Sequence, residues 1–122
     1  MPYLEIIELR GELGTCEVEV VRDATGLRGF VVPPAGLNFG RLPMQTAFGA
    51  PRPWVQVIHP GHGRNHTGIW FEKGCWCAVH SGTTNPTQVE GESIAYQRPL
   101  ADGEVIENPA LLVRFWLTRP AF

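Results

Sequence analysis

The chain has 122 residues, with 10 Lys and Arg against 12 Asp and Glu and a formal net charge of −2 at pH 7. Without a surplus of cations it is not a polybasic binder that grips nucleic acid by counterion release. The 14 glycines and 11 prolines leave no stretch long enough for a helical bundle, while 43% hydrophobic residues exclude a disordered chain.

Taken in order, the apolar residues recur with period two, the signature of half-buried strands. Tyr3 to Leu9 reads as a strand stopped by the turn-prone Gly11 to Gly14. Cys16, Val18 and Val20 then alternate with Glu17, Glu19 and Val21 as one further strand. Short β-like runs follow at Arg28 to Val32, Leu37 to Phe39, Trp54 to Ile58, Thr67 to Phe71 and Cys75 to His80. The last two are Glu104 to Glu107 and Leu111 to Leu117. Turn residues separate them at Pro33 to Gly36, His59-Pro60-Gly61, Glu72-Lys73-Gly74 and Asp102-Gly103. This spacing predicts an all-β sandwich, a single domain over residues 1–122 with one core.

The N-terminal residues show no basic and apolar leader, and Ala110 to Leu117 is too short to span a bilayer. Cys75 and Cys77 sit two apart, a spacing poorly suited to a disulfide on a strand, so reduced thiols and a cytoplasmic location are expected. Two connectors are elaborate. Leu42 to Pro53 carries Arg52 among three prolines, and Ser81 to Thr87 is dense in hydroxyls and amides. Loops of this kind on a rigid sandwich are where recognition resides. His59, His62, His66, Cys75, Cys77 and His80 are the residue types of a zinc site, but Cys75-Trp76-Cys77 is too tight for the usual knuckle. No metal and no cofactor are expected, and no nucleophile–base pair or phosphate-cradling glycine loop stands out.

Four segments carry a resemblance: Gly36-Leu37-Asn38-Phe39-Gly40-Arg41, Gly63-Arg64-Asn65-His66, Ser81 to Gly91, and Leu100 to Ile106. In this order they resemble the forkhead-associated (FHA) family of phosphothreonine-peptide binding domains, over roughly residues 37 to 117. The resemblance implies a sandwich of about eleven strands, with one or two extra at the N-terminus. It also implies a non-catalytic adaptor whose partner is a phosphorylated protein or peptide, with neither nucleic acid nor membrane involved. An FHA-fold assembly module independent of phosphate is the alternative, and a metal-binding protein a distant third.

The same resemblance assigns roles. Arg41, preceded by Gly40, matches the arginine that grips phosphate; a guanidinium suits that task because it donates parallel bonds and stays charged. Gly63 stands where the family has a serine hydroxyl, leaving only a backbone N–H to help. Arg64 matches a position that contacts phosphate or peptide. Thr84 matches the residue whose hydroxyl reaches the phosphate, and Asn85 the one that bonds the peptide main chain. His66 matches a histidine that braces the loops. Pro86 and Glu90 replace a glycine and an asparagine of the family pattern.

Overall fold

The computed structural model describes residues 1–42, 52–81 and 85–121, and none of these is helical. Thirteen strands form among them: β1 (Tyr3–Leu9), β2 (Glu12–Cys16), β3 (Val20–Asp23), β4 (Gly26–Val31), β5 (Leu37–Gly40), β6 (Trp54–Ile58) and β7 (Thr67–Glu72). Then follow β8 (Cys75–His80), β9 (Gln88–Val89), β10 (Glu92–Ser93), β11 (Gln97–Pro99), β12 (Val105–Asn108) and β13 (Leu111–Trp116). One sheet runs β10-β9-β12-β13-β1-β4-β3 and the other β11-β8-β7-β5-β6-β2. Among the described residues no helix is long and apolar enough to cross a membrane.

Alternation explains why the sheets stack. Leu111, Val113 and Phe115 of β13 point inward, as do Leu37 and Phe39 of β5 and Val55 and Val57 of β6, all within 2% of complete burial. Phe30 of β4 meets Phe39 edge-on, with centroids 5.6 Å apart, and so joins one sheet to the other. Each such side chain contributes about 1.5–3 kcal/mol by leaving water.

Two expectations are corrected in the N-terminal region. The segment read as a glycine turn contains strand β2, and the single strand read from Cys16 to Val21 is broken at residues 17–19. β2 pairs with β6 in one sheet, whereas β3 pairs with β4 in the other. The reason lies in packing: a Cβ on Gly14 would run into the Gln56 side chain, whose Oε1 accepts the Thr15 N–H at 3.0 Å. Glycine here permits close approach rather than a turn.

β5 and β6 pair in parallel, with Phe39 opposite Val55; every other pairing among the described residues is antiparallel. Parallel neighbours need a long crossover, which accounts for the length of the connector spanning residues 41–53. Residues 43–51 of that connector lie outside the described residues.

Candidate functional site

Because β5 and β6 are parallel and β7 is antiparallel to β5, the C-terminal ends of β5 and β6 and the start of β7 share one end of the sheet. β8 ends there too, since it runs antiparallel to β7. The segments carrying Arg41, Gly63, Arg64 and Asn85 therefore emerge together. Thr84 lies outside the described residues.

The first two segments pair as backbone. Arg41 N–H donates to Gly63 O at 2.7 Å, Leu42 N–H to Arg64 O at 3.3 Å, and His66 N–H to Phe39 O at 2.8 Å. Gly40 allows this contact: a Cβ there would collide with the Arg64 carbonyl oxygen, and backbone cannot yield as a flexible side chain can. Arg41 and Arg64 are both exposed on these adjoining strands of chain. Arg41 Nε donates to His62 O at 3.2 Å, which orients the guanidinium, and Gln56 Nε2 donates to Arg41 O at 3.1 Å. Gly63 does not offer its N–H outward: that group donates to His66 Nδ1 at 2.8 Å. The Gly63 N–H, the one group the sequence left there to help with phosphate, is thus engaged within the chain.

His66 is buried and spans two segments. With Nδ1 accepting from Gly63, its proton sits on Nε2, which faces Pro86 O at 3.4 Å. Asn85 Nδ2 donates to Gly61 O at 2.9 Å, so its amide is turned toward the segment before β7. Ser81 completes the lacing, with Oγ donating to Asn65 O at 2.8 Å and N–H to His66 O at 3.0 Å.

Beneath these segments runs a buried polar chain that the sequence reading did not single out. Asn108 Oδ1 accepts the N–H groups of Ala110 and Leu111, at 2.9 and 3.2 Å. This fixes the amide so that Nδ2 faces His62 Nε2 at 3.2 Å and Thr67 Oγ1 at 3.0 Å. Thr67 Oγ1 is 2.8 Å from Thr87 Oγ1, which is 2.8 Å from His80 Nδ1. The one available signal was Asn108-Pro109, an Asx-turn dipeptide before an apolar run. His62, His66 and His80 lie in a row, His66 tilted against His62 with centroids 5.2 Å apart and meeting His80 edge-on at 5.3 Å.

Burial pushes the His62 imidazole down to about 4, with neighbouring His66, His59 and Arg41 adding in the same direction. Burial also lowers His66. Both rings are therefore neutral at pH 7, in keeping with their acceptor nitrogens facing N–H donors. His62 Nδ1 in turn donates to Val57 O at 2.7 Å. No group of three or more metal-ligating side chains gathers among the described residues. Thr87 and His80 have the spacing of a nucleophile and a base, but Thr87 is fully buried and its oxygen already meets Thr67, so no substrate reaches it.

No family sequence model matches the chain, and no curated protein matches it in sequence. Solved structures do match. Mycobacterium tuberculosis EmbR, in complex with a low-affinity phosphopeptide, superposes with a TM-score of 0.67 and 19% identity. That match covers 99% of this chain but 25% of EmbR, so this chain spans a quarter of that protein. The FHA domain of FhaA, complexed with the intracellular domain of Rv3910, gives 0.58 and 20% identity, covering 94% of this chain and 99% of that one. A third, solved in work on phosphothreonine-dependent FHA domain interactions, gives 0.59 and 18%, with 98% of both chains covered. On these matches the chain has the fold of the forkhead-associated domains, at 18–20% sequence identity.

Proposed function

We propose that this chain is a non-catalytic module that binds a phosphorylated protein segment, recognising phosphothreonine as an adaptor for the products of a Ser/Thr kinase in the cytoplasm. The observation that supports it best is the pair of exposed arginines, Arg41 and Arg64, on backbone segments that Gly40 allows to touch. Two guanidinium groups on adjoining backbone suit a phosphate dianion, which needs charge and several donors at once. Support from the same fold comes from EmbR with its phosphopeptide, FhaA with its partner domain, and the FHA domain studied for phosphothreonine-dependent interactions. Thr84 is proposed to offer its hydroxyl to the phosphate and Asn85 to bond the peptide main chain beside it, with Gly63 at the rim and Gly40 and His66 holding the segments in place. Titration with a phosphothreonine peptide library and its dephosphorylated counterparts tests the reading. Binding confined to the phosphorylated set is expected.

A second reading has its own observations. The Gly63 N–H is engaged by His66 and the Asn85 amide by Gly61, so two donors assigned to the site are turned inward. An assembly module that binds its partner without phosphate would need neither. Equal binding of both peptide sets would select it.

A further inference from the structure

We propose that Cys75 and Cys77 form a dithiol site for a monosubstituted trivalent arsenical, the two sulfurs supplying two of the three bonds at arsenic. Residues two apart on a strand share a face, and the Cys75 and Cys77 sulfurs lie 3.6 Å from each other at the start of β8. Cys77 is buried beside Trp70 and Val79, whereas Cys75 is partly exposed and opens the pair to solvent. Gln97 Nε2 faces Cys77 Sγ at 3.3 Å and helps to hold that sulfur in place. Cys75 opens β8 opposite Glu72, at the end of the sheet away from the phosphate-facing segments where β8 stops opposite Thr67, and the site does not depend on the function proposed above.

The geometry discriminates among the reactions open to two thiols. A direct disulfide needs Cα atoms within about 6.8 Å, and extended residues two apart stand about 6.6–6.8 Å apart, at that limit. Both cysteines are also fixed in register, Cys75 opposite Glu72 and Cys77 opposite Trp70 and Pro99, so the strand resists closing further. A bridging atom fits with no such movement. Bonds of about 2.3 Å, the length of a zinc–thiolate bond, reach both sulfurs at an angle of about 100°. That angle belongs to a pyramidal or tetrahedral centre, not a linear one. Zinc would require further protein ligands, and no group of three metal-ligating side chains exists among the described residues. It would also require thiolates, whereas burial pushes the Cys77 thiol up and keeps its proton.

An arsenical avoids both requirements, because it brings its own third substituent and reacts with thiols. Each S–H condenses with one As–OH: an As–S bond forms, an As–O bond breaks, and the thiol proton leaves on the departing oxygen as water. Two condensations release two waters, and arsenic stays trivalent throughout, so no oxidant is consumed.

The test uses the folded native chain and phenylarsine oxide. Intact-mass measurement should show a single adduct, removed by 2,3-dimercaptopropanol, and the adduct should raise the melting temperature because it binds the native state. Cys75→Ser should weaken binding about 100-fold or more, since the second bond is then no longer intramolecular. Cys77→Ser should do the same. Cys16→Ser, on the distant β2 edge of the sheet, should bind as the wild type does. Because Cys77 is buried and its variant can lose the fold, the half-exposed Cys75 variant decides. No adduct on the wild type overturns the proposal, as does an adduct of undiminished affinity on Cys75→Ser. A lowered melting temperature, marking capture of the unfolded chain, overturns it too. So does native protein carrying zinc on this pair, or lacking two hydrogens there.

Discussion

Arg41 is held to the segment before β7 twice over, its N–H on Gly63 O at 2.7 Å and its Nε on His62 O at 3.2 Å. Only the backbone bond survives truncation of the side chain. The Nε contact orients the guanidinium, and its terminal nitrogens are the groups a phosphate would meet. Arg41→Ala should therefore remove about 2–5 kcal/mol of phosphopeptide affinity, as for one half of a desolvated charge pair. The melting temperature should stay nearly constant, because the residue is exposed and adds little to the core. Calorimetric titration of both forms checks this, and equal affinities would remove Arg41 from the site.

A phosphate held by charge also makes binding sensitive to the medium. The second ionisation of phosphate lies near ~6, so acidification through that value should weaken binding. Added salt should weaken it as well, screening over about 8 Å at physiological strength. Affinity flat in both variables would select the phosphate-independent assembly reading.

Gly40→Ala tests the contact that brings the two arginines together. The added methyl meets the Arg64 carbonyl oxygen, so one backbone must move. The expected cost is about 1–3 kcal/mol of stability, as for overpacking elsewhere. Phosphopeptide affinity should fall in parallel, since Arg64 moves with its carbonyl. Denaturant melts and titrations of the same variant measure the two effects; an unchanged midpoint would show that the segments are not locked.

How much of this was legible beforehand depends on what each residue's meaning requires. Gly40-Arg41 could be read because a short motif holds both the glycine and the charged group. Gly14 could not, because its role is to admit Gln56, 42 positions later, and a glycine facing a side chain looks in sequence like a glycine in a turn. Alternation from Cys16 to Val21 puts Cys16, Val18 and Val20 on the inner face, where they are partly buried, but shows neither that Val21 is buried nor that the chain crosses between sheets at 17–19. The polar chain beneath the site was the least legible part. Asn108, His62, Thr67 and Thr87 acquire meaning only when β12, the β6–β7 connector and the segment after β8 converge. The long connector after Arg41 was noticed for its composition, while its length follows from the parallel pairing of β5 and β6.

His62 gives stability a pH dependence whose sign can be worked out. Its folded value of about 4 lies below the ordinary 6.5, so the unfolded chain binds the proton more readily. The contribution is complete above pH 6.5, declines as pH falls toward 4, and is lost below that. The loss across the window is about 3 kcal/mol. His62→Gln should be less stable at pH 7, because the contacts to Val57 and Asn108 are disturbed, but should show a shallower decline between pH 6.5 and 4. Urea melts of both proteins through that window check the difference in slope. Parallel curves would assign the acid sensitivity to other groups.

Gly63→Ser addresses the plainest departure from the family pattern. Gly63 is not among the glycines with positive φ, so serine meets no backbone penalty there. The Gly63 N–H would continue to donate to His66 Nδ1, since that bond comes from the main chain and leaves the new hydroxyl uncommitted. With Arg41 one backbone bond away, the hydroxyl adds a neutral donor beside a cation, the combination that a phosphate dianion favours. Affinity for phosphothreonine peptides should rise by about 1–2 kcal/mol, near tenfold, with an unchanged melting temperature. The gain should vanish for dephosphorylated peptides and in an Arg41→Ala background, where no phosphate is held for the hydroxyl to reach. A serine variant that melts as the wild type does, and gains nothing on phosphorylated ligands, would show that Gly63 does not face the phosphate. Loss of phosphopeptide binding in both forms would turn the weight to the phosphate-independent role.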